Sequence, residues 1–299
     1  MAVLATDSIE LPRTIFSTIL DKVKGTSTIG VLSPEEPSKF LENDALIFTP
    51  SAEAEVVSEN SEKTAYDQTL TPITGKLLTF QTTTRISKQL KWADEDNQLE
   101  IVNRIVTDQA EACGRLLDYV VYHALNPLPQ TTLDGYTGLA DSAVQVAYTG
   151  DAVTDLDNLV DAVVQDYNVN GVALSRTWAS ELRKVRVDST GLRLFPEIPL
   201  NLEVGTLDGI KAAVSNTVNG VRCPDATGVY AFLGDFSAIR WGMVRNLTAE
   251  VIEFGDPDGA GDLKRYNQIA YRTEGSLVYA VLDSDAIAVL KATGTSEEG

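Results

Sequence analysis

Between Asp96 and Asn126, the residues Leu99, Val102, Ile105, Val106, Ala110, Cys113, Leu116, Leu117, Val120 and Ala124 recur at steps of three and four. That spacing lines them along one face of an α-helix. Pro127 is expected to end it, because proline lacks the amide proton a continuing turn needs. At 1.5 Å per residue the helix would run about 40 Å, longer than a compact domain usually uses. A helix of this length suits the spine of a flat molecule. Asp94, Glu95 and Asp96 precede it. Acids at a helix start suit its dipole, a simpler role than acid–base chemistry.

The chain ahead of this helix reads as reaching elements. Pro12 starts and Gly25 stops a short amphipathic helix, Leu11 to Gly25, with Ile15, Phe16, Ile19, Leu20 and Val23 on one face. Thr26 to Asn43 holds Pro34 and Pro37, which predicts an extended connection. Ala45 to Phe48 and Ala54 to Val57 predict strand, Ser58 to Asp67 a polar bend, and Leu77 to Ser87 a further alternating strand. Together they read as a long hairpin. Its interior, SENSEKTAYDQTLT, offers little apolar surface, and a two-stranded ribbon of that kind is marginal alone in water. Support could come from its own domain or from a neighbouring copy.

Behind the spine the pattern changes. A Pro/Gly/Thr-rich link, Asn126 to Gly138, leads to a helix capped by Thr154, a strand at Val172 to Ser175, a helix at Trp178 to Val185, and strands at Ile210 to Ser215 and Val229 to Leu233. Leu247 to Phe254 and Tyr266 to Glu274 read as two strands about a Gly/Asp-rich turn, followed by apolar segments from Val278 to Leu290. The class is α+β or α/β. The tail, Gly294 to Gly299, is expected to be disordered.

The 299 residues allow one large domain or two interleaved ones. Lys+Arg 24 against Asp+Glu 43 gives a formal net charge of -19, a field that repels phosphate and anionic membranes. Met1 to Glu10 resembles no signal peptide and no window approaches a membrane span, which predicts synthesis in a cytoplasm. Cys113 and Cys223 stand far apart without metal-ligand spacing and are expected to be reduced and packed.

Motifs for chemistry are scarce. The one histidine, His123, falls near the end of the spine helix and reads as a packed residue, since neither a nucleophile elbow nor a phosphate-cradling loop accompanies it. Asp256, Asp258 and Asp262 surround a glycine turn and could gather oxygen ligands for calcium. The glutamate expected at the twelfth position of a helix-loop-helix calcium site is missing, and the strand-like flanks favour a solvated turn. Asn246-Leu247-Thr248 matches a glycosylation sequon without a secretory signal to expose it. Trp92, Trp178 and Trp241 are too scattered for a stacking platform and read as core or interface residues. No cofactor is implied.

The order of pieces, together with several stretches of wording, resembles one family. ALSRTWASELRKVRVDSTGLRLFPE (173–197), LEVGTLDGIKAAVSN (202–216), FLGDFSAIRWGMVRNLTAEVIEF (232–254) and QIAYRTEGSLVYAVLDSDAIAVLK (268–291) are similar to segments of tailed-phage major capsid proteins of the Hong-Kong-97 type. Each is short and degenerate, and the shared order carries the resemblance. It implies an α+β fold with an arm (1–48), an extended loop (49–84), a peripheral domain (85–134 and 241–280) and an axial domain (135–240 and 281–293). The implied function is structural: hexamers and pentamers of one chain tile an icosahedral shell around double-stranded DNA, with scaffolding, portal and decoration proteins as further partners, no membrane, and assembly in the host cytoplasm. Candidate contacts between subunits are Arg13 and Phe16 in the arm and Glu59, Glu62, Lys63, Tyr66 and Lys76 in the hairpin. Some relatives carry a large scaffolding segment before the arm, so scaffolding here is expected from a separate protein or a removed prodomain. Some also join subunits through a lysine–asparagine bond. Lys63 and Lys76 are the lysines available in that region, and nothing in the sequence supplies their partner. The rivals are an encapsulin-like shell enclosing enzymes, an acidic α/β enzyme with an unrecognised site, and a tail or connector component.

Overall fold

The computed structural model describes residues 27–36, 44–48, 56–57, 63, 70–97, 101–187 and 189–292. Its centre is the helix α3, here numbered after α1 (Thr28–Leu32) and α2 (Lys88–Asn97), spanning Ile101–His123, about 34 Å of rise. Val106, Ala110, Cys113, Leu117, Val120 and Val121 are buried on its inner side. The helix ends four residues before Pro127. Ala124 takes a left-handed φ of 49°, and the chain turns into β4 (Leu125–Asn126), which pairs with β5 (Thr131–Thr132). At the other end, Asp94, Glu95 and Asp96 lie in the last turns of α2 and not at the start of the spine, so the dipole argument does not apply to them. The predicted helix over 11–25, the strand residues 54–55 and the tail 294–299 lie outside the described residues, while Val56 and Val57 are in no strand.

Two sheets share the core beside α3. The first has three antiparallel strands in the order β11 (Ile239–Ile252), β12 (Gln268–Val281), β3 (Lys76–Ser87). Leu77 to Ser87, expected as the second limb of the hairpin, instead pairs with β12 along its whole length. Its alternating apolar side chains (Leu78, Phe80) face the buried cluster. The ribbon proper is β1 (Asp44–Phe48) with β2 (Leu70–Thr74), antiparallel from Asp44↔Thr74 to Phe48↔Leu70.

The second sheet has six strands, ordered β6 (Val144–Ala147), β13 (Ile287–Lys291), β10 (Val229–Gly234), β7 (Gly171–Leu174), β9 (Ile210–Val214), β8 (Thr206–Leu207). Both faces are covered, which explains the uninterrupted apolar strands. Ala173, Phe232 and Val289 pack towards α3, α1 and α4 (Leu139–Ser142). Val172, Leu174, Leu233, Ala288 and Leu290 pack the other way, against Leu159 of α5 (Ala152–Asp161) and Trp178 and Leu182 of α6 (Arg176–Lys184). α5 is capped by Asp151, whose carboxylate accepts from Val153 N at 3.2 Å. Thr154, the expected cap, instead donates to Asp151 at 2.7 Å from inside the first turn. Gly234 permits the closest approach in this sheet, since a Cβ there would lie 2.1 Å from the Ala286 carbonyl oxygen.

Residues 27–36 were expected to run extended. Ser27 instead caps α1, accepting from Gly30 N at 3.1 Å, and the segment is tied to the spine through Asp118. That carboxylate is fully buried. It accepts from Ser27 Oγ (2.5 Å), Thr28 N (2.9 Å), Thr28 Oγ1 (2.8 Å), Ile29 N (3.2 Å) and, from beyond β9, Thr217 Oγ1 (2.6 Å). Burial pushes its pKa up, while these donors pull the other way. Past α1, Trp241 Nε1 donates to Ser33 O at 3.1 Å and Ser33 Oγ donates to Ile239 O at 2.6 Å. Arg240 closes an ion pair with Glu36.

Replacing Asp118 with alanine strands at least two backbone donors in a dry site. We expect Asp118→Ala to cost about 3 kcal/mol or more in urea unfolding of the subunit, with residues 27–36 losing amide-exchange protection first.

Candidate assembly surfaces

Among the described residues, the ribbon forms a two-stranded sheet separate from the others. β1 and β2 pair with each other and with no other described strand. Pro72 is accepted in β2, opposite Leu46, because such a ribbon has a free edge on each limb. Val56, between the limbs, is 98% exposed. An apolar side chain so fully in water gains nothing from its own body. Lys63 is exposed as well. Arg13, Phe16, Glu59, Glu62 and Tyr66 lie outside the described residues.

Lys76 is engaged within its own chain. Its ammonium donates to Gly135 O at 3.0 Å and stands 4.4 Å above the Tyr136 ring, a contact that holds the start of β3 against the link after the spine.

A groove of about 370 Å³ runs between β3, α3 and the turn at 126–133, with Leu78, Phe80, Leu116, Tyr119, Leu128 and Arg222 in its wall. Leu128 is 83% exposed. Sequence reading treated 126–138 as a simple link. The apolar Leu128 between two prolines was the available sign that it is more.

The three aspartates of the glycine turn do not converge on a shared point. Arg85 from β3 takes two of them: Nη2 donates to Asp256 Oδ1 at 2.8 Å, and Nε donates to Asp258 Oδ2 at 2.7 Å with Nη2 bonding the other Asp258 oxygen. Arg85 Nη1 also donates to Gly261 O at 2.9 Å. Asp262 turns away to accept from Arg265 N at 2.9 Å. The guanidinium supplies the positive charge a calcium ion would bring, and holds the Asp258 carboxyl below the usual range. Among the described residues, no group of three or more His, Cys, Asp or Glu could hold a metal ion.

His123 is packed between β10 and the segment after β9. Nε2 donates to the carbonyls of Thr217 (3.0 Å) and Val218 (3.2 Å), and the rings of Tyr119, Tyr122 and Phe232 surround it. Burial pushes its pKa down. Cys113 and Cys223 are free. Burial pushes the Cys113 thiol up to about 12, which leaves it unreactive at neutral pH. Trp178 and Trp241 are core residues, whereas Trp92 is 54% exposed. The sequon lies within β11, with Leu247 buried. Among the described residues, no helix is long and apolar enough to cross a membrane.

Comparison with known proteins bears on what these surfaces serve. The sequence profile of the phage capsid family matches residues 9–292. The chain belongs to the phage capsid family. The solved structure of a chain from Mycobacterium phage Ogopogo is similar over 98% of this capsid protein and 100% of that chain, with 32% identity and a TM-score of 0.81. A chain from Gordonia phage Cozz is similar over 90% of this chain and 87% of that one, at 26% identity and a TM-score of 0.75. A chain from the capsid of an empty GTA particle shares the fold at 16% identity, a TM-score of 0.60 and 90% coverage of both. No curated protein sequence is significantly similar. This is therefore a major capsid protein with an α+β fold, a structural subunit that builds a phage shell from multiple copies.

Two measurements check the site descriptions. Because Arg85 already neutralises Asp256 and Asp258, adding calcium or a chelator is expected to leave the subunit's melting temperature unchanged. For His123 the folded pKa lies below its ordinary 6.5. The unfolded chain then takes up the proton first. The stability contributed by the neutral ring is complete above that value and is lost as pH falls from it through the lower folded value. Urea midpoints of the native protein should therefore drop through this window, and His123→Gln should remove that part of the slope.

Proposed function

We propose that the subunit closes into hexameric and pentameric rings that tile an icosahedral virion shell around double-stranded DNA. One observation carries the reading: among the described strands the β1–β2 ribbon pairs only with itself, and Val56 is 98% exposed. A two-stranded ribbon with so little support is marginal in water and gains its order from a neighbour. Several modest contacts per subunit then hold each copy in a closed lattice, since release requires all of them to break together.

The two sheets support a division of labour. All strands of the six-stranded sheet fall within 135–240 and 281–293, the segments assigned to an axial domain around each ring centre. Spine α3 with β11 and β12 supplies the peripheral domain, to which β3 belongs through its pairing. The extended loop is then the ribbon ending at Thr74. Residues 1–43 act as the arm, the last five residues of the expected 1–48 being β1 of the ribbon, with Arg13 and Phe16 touching a neighbouring copy, as Glu59, Glu62, Lys63 and Tyr66 do from the loop. The net charge of -19 keeps packaged DNA from adhering to the shell, so enclosure is not sequence-specific. Assembly takes place in the host cytoplasm, with scaffolding from a separate protein or a removed prodomain, and with portal and any decoration proteins as further partners.

Electron microscopy of the concentrated protein, with size-exclusion chromatography, tests the reading. We expect closed particles tens of nanometres across. Replacing residues 49–69 by an Asn-Gly turn, which joins Phe48 to Leu70 in register, should leave a folded subunit that no longer forms them. A native protein that stays a small discrete oligomer under shell-forming conditions would defeat the proposal.

A further inference from the structure

β3 is a long edge strand. Among the described strands it pairs with β12 on one side only. It runs for 12 residues, and from Leu77 to Thr84 it holds no proline and no charged residue. Lys76 and Arg85, the cations flanking that stretch, are bonded to Gly135 and to the glycine turn. Exposed edge strands normally carry prolines, charges or bulges that refuse a further strand. Here Leu77, Thr79 and Gln81 stand exposed instead.

The groove of about 370 Å³ lies along this edge. Leu78, Thr79, Phe80, Gln81 and Thr82 all line it. Successive side chains of a strand point to opposite faces, so a cavity bordered by consecutive residues follows the strand's side and not one of its faces. No residue of β12 lines the groove, which puts it on the side that β12 leaves free. The far wall is apolar, with Leu116 from α3 and the exposed Leu128 from the turn. In a chain with 43 acids and 24 bases, the charged residues lining this groove are Arg115 and Arg222. Arg115 reaches Glu111 at 3.9 Å, and Arg222 is exposed.

An edge of this kind accepts an extended peptide as a further strand, with backbone bonds supplying affinity and side-chain pockets the choice of peptide. The chain holds a segment that fits. Ala52, Ala54 and Val56 alternate with Glu53, Glu55 and Val57, the period of a strand. Val56 and Val57 belong to no strand of the subunit. The segment is acidic where the groove is basic: Glu53, Glu55, Glu59 and Glu62 lie within it or just after it, and Lys63 is the first base to follow. Within its own subunit Val56 does not enter the groove, since it is 98% exposed. The groove of another copy is the one left for it to fill.

We propose that residues 52–57 of one copy add to the free edge of β3 in the next copy as a fourth strand, with Val56 against Leu116 and Leu128 and the glutamates drawn by Arg115 and Arg222. This rests on the reading that copies close into rings, and it names the place on the neighbour that receives the loop. Donor and receiver are different patches of one chain, so the contact is heterologous, the kind that repeats by rotation and closes. A strand-like segment without an edge and an edge without a strand thereby share one explanation. Opposite charge on the two patches selects this pairing among copies that otherwise repel, each carrying -19.

The test traps the contact in shells assembled from the full chain. In Val56→Cys with Leu128→Cys, a short bis-maleimide is expected to join most chains into covalent dimers and longer multimers on denaturing gels. Either substitution alone, with the native Cys113 and Cys223 in place, should give the native pattern. A charge exchange supplies a second arm. Arg115→Glu with Arg222→Glu, or Glu53→Arg with Glu55→Arg, is expected to keep the subunit's melting curve and to lower the fraction in closed shells about tenfold or more. All four substitutions in one chain restore opposite signs and should restore shells. Shells without the cross-chain product, a product confined to single chains, charge variants that assemble like the native protein, or a folded fourfold variant that stays unassembled each overturn this contact and leave the ring reading standing. Failure of the native protein to form shells overturns both.

Discussion

The Asp118 carboxylate is the point through which the parts of this subunit are joined. It sits without solvent at the inner face of the spine and takes donors from two places far apart in sequence: Ser27 to Ile29 come from ahead of the spine, and Thr217 comes from just after β9. A buried charge is costly unless its acceptor sites are filled. Here the cost of leaving them empty enforces the geometry. The segment 27–36 has to return to the spine, and from there it runs alongside β11 through Ser33, Glu36 and Trp241. One acid thus fixes how the two sheets meet.

Around that point the body is complete by itself, and the ribbon is not. Both faces of the six-stranded sheet are covered and the three-stranded sheet backs onto α3. Among the described strands, β1 and β2 pair only with each other. The division suits a shell protein: a block whose sheets are covered within one subunit, and a limb that, on the reading proposed above, gains its order from another copy.

Much of this was legible from periodicity. The spine, the strand–helix–strand passage from Val172 to Val214 and the paired late strands follow from spacing that tertiary packing left undisturbed. Segments whose structure depends on distant partners were not legible. Leu77 to Ser87 alternates as any strand does, and nothing local says that its partner is β12 and not β1. Residues 28–32 became a helix because Ser27 caps them and Asp118 receives their amides, against two nearby prolines that argue for extension. The end of α3 came early because Ala124 accepts a left-handed turn, a choice imposed by the β4–β5 pairing. The glycine turn was read correctly as a turn, but Arg85, which organises it, comes from a strand far away in sequence. The groove is a property of a surface, and sequence order scatters surfaces.

The placement of β13 carries a consequence for biosynthesis. This last described strand does not finish an edge. It lies between β6 and β10, the one parallel and the other antiparallel to it. Until Ile287 to Lys291 leave the ribosome, β6 has no neighbour and β10 lacks one side, so a truncated chain exposes two unsatisfied strands. Translation must pass Lys291 before a lattice-competent block exists, and the topology thereby screens out chains that stop short of it before they can be built into a particle.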